Sequence, residues 1–170
     1  KKDIVKYAGI SDTKIHVVYL AAGEEFKKVE SSKLSTPIKS EAKIKSLREK
    51  YNLPDKFVLY VGDVTWNKNL PRLIQAVKKI NIPLVMVGKA LDQKGFDVSN
   101  PWNKDLLAVQ KLAKGDEKIT RLGFVPSSDL VAIYNLATVF AMPSLYEGFG
   151  LPVLEAMSCG CPVVTSGEGS

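Results

Sequence analysis

Glu147 precedes the turn Gly148-Phe149-Gly150, and Glu155 lies about one turn inside the helical pattern that starts near Leu151 and Pro152. A strand running into such a turn leaves backbone N–H groups free and sets the positive end of a helix dipole beside them, while glycine lets the backbone close on a diphosphate. The spacing makes an anion cradle with a carboxylate on either side, and two acceptors there suit the hydroxyls of a sugar or ribose. Each part alone has a plainer explanation. A Gly-x-Gly turn is usually only tight-turn chemistry, and a glutamate early in a helix is favoured by the dipole without any ligand. Together they favour the ligand. The pattern is not the dinucleotide fingerprint, because the third glycine position is Val153. A dehydrogenase is disfavoured.

Lys68, in the run Asn67-Lys68-Asn69, is the next candidate, since phosphate cradles often set a lysine beside exposed amides. Its plainer reading is a surface lysine in a polar turn, with Asn69 capping the helix that follows. Lys89 follows Gly88 at the end of an apolar run, at the right edge for a second cation. Trp66 suits stacking on a ligand and packing under its loop equally. The single histidine, His16, is assigned no chemistry. Cys159 and Cys161, with one glycine between them, are too close for an ordinary disulfide and too few for a zinc site, so they read as small buried thiols.

The elements that must position these groups show as apolar runs at 15–20, 57–61, Leu84–Val87, Ile119–Leu122, Val139–Met142 and Val163–Thr165, each followed by a break. Helical spacing fills the gaps at Glu41–Tyr51, Leu70–Ile80, 104–114, 128–136 and 152–159, with Pro71 suited to a first turn. Strands that read as continuous hydrophobic runs, alternating with helices, imply an α/β fold: a Rossmann-like, doubly wound parallel sheet covered on both faces. Ligands bind beyond the carboxyl ends of such strands, so the loops at 62–69, 88–95, 123–127 and 144–150 are expected to converge on one crevice. Residues 24–40, rich in Lys, Ser and Glu, read as an exposed linker. The division expected is a crossing segment and linker over 1–40 and a nucleotide-sugar-binding domain over 41–170, whose close in a Gly/Ser-rich turn reads as a truncation.

The stretch PSLYEGFGLPVLEAMSCGCPVV, with its Glu-x7-Glu pair, resembles the retaining glycosyltransferases of the two-Rossmann-domain (GT-B) architecture, specifically family 4. FVLYVGDVTWNKNLPRL, residues 57–73, resembles that family's strand and loop bearing a phosphate-binding basic pair. LGFVPSSDLVAIYNL, residues 122–136, resembles its base-binding loop and following helix, and HVVYLAAGEEF, residues 16–26, resembles the segment that crosses between the two domains. The resemblance covers most of the chain from about Ile15 onward, in the family's order. It implies the C-terminal half of a GT-B glycosyltransferase, with a UDP-, GDP- or ADP-sugar as substrate and no further cofactor. By the family pattern Glu147 contacts the donor sugar, Glu155 the ribose, and the amides of Gly148, Phe149, Gly150 and Leu151 the diphosphate. Lys68 would meet the phosphate oxygens, and Val125 or its neighbours the base through the backbone. Many members carry an arginine directly after Gly62; here Asp63 stands there, and Lys89 is the residue that would take over.

No Asp-x-Asp occurs, so the usual carboxylate clamp for a metal-bound diphosphate is absent and no metal ligand is assigned. Preorganised amides and Lys68 would stabilise the leaving diphosphate without metal. The resemblance further implies retention of anomeric configuration, a glycan or lipid acceptor, and an N-terminal acceptor-binding domain that this sequence lacks. The chain alone is expected to bind donor without turning it over. A sugar-nucleotide 2-epimerase of the same architecture and a noncatalytic nucleotide-binding module are the alternatives.

Composition sets the outer bounds. A chain of 170 residues with 45% hydrophobic and 25% charged residues suits one globular domain. No apolar run approaches the roughly 20 residues of a membrane span, and the first residues do not read as a secretory signal. The address expected is cytoplasmic. The net charge of +6 favours anionic partners, which leaves contact with the inner membrane surface open, while basic residues without interleaved aromatics give no nucleic-acid surface.

Overall fold

The computed structural model describes residues 1–29 and 41–167. Helix α1 spans Lys2–Ala8 and α2 Glu41–Tyr51; strands and helices then alternate as β1 (Val58–Val61), α3 (Leu70–Ile80), β2 (Leu84–Val87), α4 (Lys104–Ala113), β3 (Ile119–Leu122), α5 (Ser127–Leu136), β4 (Val139–Met142), α6 (Leu151–Ser158) and β5 (Val163–Thr165). The five strands form one sheet in the order β3-β2-β1-β4-β5. Every pairing is parallel, with Val58 opposite Leu84 and Val139, Leu84 opposite Ile119, and Phe140 opposite Val163. The expected Rossmann-like sheet is therefore present, and its strand order reverses direction at β1 and β4, where a crevice opens in folds of this kind.

The pleat sends alternate residues of the central strands to opposite faces, and each face carries its own core. Phe57, Leu59, Val85 and Val87 pack with Val131 and Tyr134 of α5 and Ala156 of α6. Val58, Tyr60, Leu84 and Met86 pack on the other face with Leu70, Leu73, Ile74 and Val77 of α3 and with Leu106 and Val109 of α4. The α3 residues recur at i, i+3, i+4 and i+7, the apolar stripe of a one-sided helix. Pro71 lies in its first turn, and Asn81, at φ 59°, ends it with its N–H bonded to carbonyls of the last turn.

The apolar run at 15–20 forms no strand. Val17, Val18 and Tyr19 are 52%, 85% and 80% exposed, and among the described residues none of the five strands pairs with them. A run of β-branched residues becomes a strand only where a sheet edge offers hydrogen bonds, and neither β3 nor β5 receives it. Helix α1 escaped the sequence reading, although Asp3 in its first turn, Lys6 in its last and Gly9 at φ 66° after it are ordinary end signals. The stretch read as linker from Glu24 touches the domain at its start: Phe26 packs edge-on against Tyr134 at 5.9 Å, and Val29 N–H donates to Asn135 Oδ1 at 2.9 Å. Residues 30–40 of that stretch lie outside the described residues.

Candidate functional site

The loops after β1 and β4 are stitched together at the carboxyl end of the sheet. Leu145 N–H donates to the Asn67 carbonyl at 2.7 Å, Asn67 Nδ2 to the Tyr146 carbonyl at 3.0 Å, and Asn69 Nδ2 to the Pro143 carbonyl at 3.1 Å. Asn69 sits at φ 56° before α3 and makes no side-chain cap. The capping expected of it gives way to a bond across to the other loop, because its left-handed backbone turns the amide away from the helix. Asn tolerates that conformation better than other residues with a Cβ.

This stitching brings Lys68 and Glu147 face to face. Lys68 Nζ lies 2.6 Å from Glu147 Oε1, and the two side chains are 20% and 15% exposed. Glu147 then lines a cleft of about 280 Å³ together with Ser144, Phe149, Gly150, Val153 and Thr165. Gly150, at φ 82°, stands immediately before α6, and a Cβ there would come 3.2 Å from Met142 Cε. The cleft is also lined by Ser144, whose Oγ is buried with no hydrogen-bond partner among the described residues; its carbonyl accepts from Ser166 Oγ. The cleft thus offers a carboxylate and the head of a helix, with the Lys68 ammonium bonded to that carboxylate.

Glu155 stands apart from the groups lining this cleft. Its Oε2 accepts a hydrogen bond from Tyr134 Oη at 2.8 Å. Burial holds its carboxyl above the ordinary glutamate range, the Tyr134 bond opposes that rise, and the nearby Glu25 charge adds to it. Burial likewise drives the Tyr134 hydroxyl far above its usual range, with the Glu155 charge reinforcing the effect.

The remaining predicted residues lie on neighbouring loops. Gly62 and Gly88 meet backbone to backbone: a Cβ on Gly88 would fall 2.0 Å from the Gly62 carbonyl oxygen. Asp63 turns its carboxylate onto the Val64 N–H at 2.8 Å, while its carbonyl accepts from Tyr60 Oη at 2.7 Å. A residue so used in shaping its own turn supplies no cation. Lys89 is exposed and sits over the Phe124 ring, 5.6 Å from its centroid. The side chain of Val125 is buried in the core. Trp66 is 58% exposed. Cys159 and Cys161 are free and buried, and burial pushes the Cys159 thiol up to about 11, which removes it as a nucleophile.

Sequence reasoning missed Tyr134 and the cross-loop bonds of Asn67 and Asn69. A tyrosine ending the apolar stretch LVAIY signalled a buried hydroxyl in need of a partner, but nothing in the sequence paired it with Glu155.

Residues 43–170 match the family model described as Glycosyl transferases group 1. The serotype-specific mannosyltransferase WbdA of Escherichia coli is 30% identical over 171 aligned residues, covering 97% of this chain and 19% of that protein. The O-antigen chain mannosyltransferase B of the same organism is 38% identical over 137 residues, covering 75% of this chain and 33% of that protein. Among solved structures, Anabaena Alr3699/HepE in complex with UDP-glucose superposes with a TM-score of 0.67 at 24% identity over 95% of this chain and 41% of that one, a likeness of fold. The chain thus spans about a fifth to a third of the curated relatives it matches. With a family match over most of its length, on the loops that carry Lys68, Glu147 and the Gly150 turn, the chain belongs to the glycosyl transferases of group 1.

Proposed function

We propose that this chain is the donor-binding domain of a retaining glycosyltransferase of GT-B architecture and family 4, which moves a sugar from a nucleoside diphosphate to a glycan or lipid acceptor. The observation that carries the reading is the Lys68–Glu147 pair, 2.6 Å apart and mostly buried, beside the Gly150 turn that opens α6. Departure of a diphosphate concentrates negative charge that the Lys68 ammonium and the head of α6 would stabilise, while the anomeric carbon gains oxocarbenium character that a carboxylate such as Glu147 favours. The names of its relatives, two mannosyltransferases, support sugar transfer, and the UDP-glucose held by the Anabaena protein supports a nucleotide-sugar donor. The acceptor site is assigned to an N-terminal domain, and the membrane surface is kept as a place of work for a lipid acceptor. No described helix is long and apolar enough to cross a membrane.

Calorimetry in EDTA with UDP, GDP, ADP and their sugars tests the reading. One of these nucleotides binds without added metal, and Lys68→Ala weakens it by about 1.5–3 kcal/mol, the range for a hydrogen bond to a charged group. Glu147→Gln weakens the nucleotide sugar more than the bare diphosphate. Heat that returns only with Mg²⁺ or Mn²⁺, or an unchanged affinity in Lys68→Ala, contradicts the assignment.

A further inference from the structure

Tyr134 projects from α5 into the core that α5 shares with α6. Its ring is fully buried, held edge-on by Phe26 at 5.9 Å and tilted against Phe140 at 5.8 Å. A ring wedged in this way has one hydroxyl position, and that hydroxyl donates to Glu155 Oε2 at 2.8 Å. Glutamate on a helix otherwise distributes its carboxylate over several rotamers. Here one oxygen is fixed by a rigid donor, and a carboxylate so held still has acceptor sites on both oxygens beyond that one bond.

The plainer account is that Glu155 merely satisfies a buried tyrosine. A backbone carbonyl or a serine would do so without removing a carboxylate from water, whereas Glu155 is half-buried close to a second acid, Glu25. A charge held in an unfavourable place by a precisely seated donor is the pattern of a site rather than of a core. We infer that Tyr134 is a positioning residue that aims Glu155 at the ribose hydroxyls of the donor and so sets the preference for ribonucleotides over deoxyribonucleotides. The inference rests on the assignment of Glu155 to the ribose. A site built to accept from a hydroxyl strongly rejects the analogue that lacks it, because its own polar groups are left unpaired.

The test uses the intact protein and whichever of UDP, GDP and ADP binds most tightly, beside its 2′-deoxy and 3′-deoxy counterparts. The wild-type protein prefers the ribonucleotide, and Glu155→Gln loses that preference. Tyr134→Phe keeps the ring between Phe26 and Phe140 and lowers the ribo-to-deoxy ratio by about fivefold or more, leaving deoxynucleotide affinity within about twofold. A ratio equal to wild type, or equal weakening of both ligands, overturns the role of Tyr134. A wild-type protein with no preference for ribose overturns the Glu155 assignment beneath it. Should Tyr134→Phe fail to fold, 3-fluorotyrosine at that position keeps the hydroxyl and strengthens it as a donor by acidifying the phenol at the cost of one small ring substituent; a shifted ratio supports the inference and an unshifted one overturns it.

Discussion

Glu155 shows how a residue's chemistry and its stability pull in different directions. Its carboxyl is held above the ordinary range by burial, with Tyr134 opposing and Glu25 adding to the rise. As pH climbs, the unfolded chain loses this proton first, so the folded state binds more protons between the two pKa values and stability declines across that window. Below the ordinary glutamate range both states are protonated and the effect vanishes; above the raised pKa the deficit is constant. Glu155→Gln, which still accepts from Tyr134 but carries no charge, is therefore expected to melt about 1–2 °C higher than wild type at pH 7 while losing ribonucleotide affinity. The difference should close below about pH 4. The gain is small because a half-exposed charge is screened by solvent. A variant that melts lower at pH 7 would show that the charged hydrogen bond outweighs desolvation and would remove the argument that this position is held against stability. Lys68 and Glu147 were legible in the sequence because glycines and asparagines mark their loops. The Tyr134 bond was not, since 21 residues separate the partners and only the packing of α5 against α6 joins them.

At the scale of elements, the strands from β1 to β5 could be read almost to the residue, because continuous Val, Ile, Leu and Met runs between helical periods leave little choice but a buried parallel sheet. The run at 15–20 misled for the same reason. Its residues have strand chemistry, yet pairing depends on an edge that sequence does not display, and Val18 remains 85% exposed. Loop convergence, by contrast, followed from topology alone and is realised through backbone contacts that demand small residues. Gly88 is the sharpest case: its extended backbone would admit any residue, but an added Cβ would lie 2.0 Å from the Gly62 carbonyl oxygen. Backbone cannot step aside as a side-chain tip can, so the β1 and β2 loops must part. Gly88→Ala is expected to cost about 2–3 kcal/mol in urea unfolding, the upper part of the range for overpacking, and to weaken nucleotide binding through the displaced 62–69 loop. Stability and affinity both within error of wild type would mean that the two loops separate without cost, and that their close approach does not shape the site.

The whole molecule divides into a double-cored sheet and an N-terminal stretch that scarcely touches it. Helix α1 has no buried residue, Val17 to Leu20 are more than half exposed, and the two cores draw on residues of the domain from Phe26 onward. Contact begins at Phe26 against Tyr134 and continues where Asn135 receives Val29 N–H and donates to the Lys27 carbonyl. Opening free energies in a folded protein range from near zero, for segments with few buried contacts, to the global value, about 5–15 kcal/mol. Amide hydrogen exchange on the 170-residue chain should therefore resolve three levels. Residues 2–22 should exchange at nearly the unprotected rate, residues 26–29 more slowly through their hold on α5, and β1 and β2 only on global unfolding. The one alternative that would imitate order at 15–20 is self-association of its exposed Val18 and Tyr19, which would make protection rise with protein concentration. Protection there that equals that of β2 and is independent of concentration would mean that this run pairs in a sheet after all, and that the division between a peripheral N-terminal stretch and the double-cored sheet is wrong.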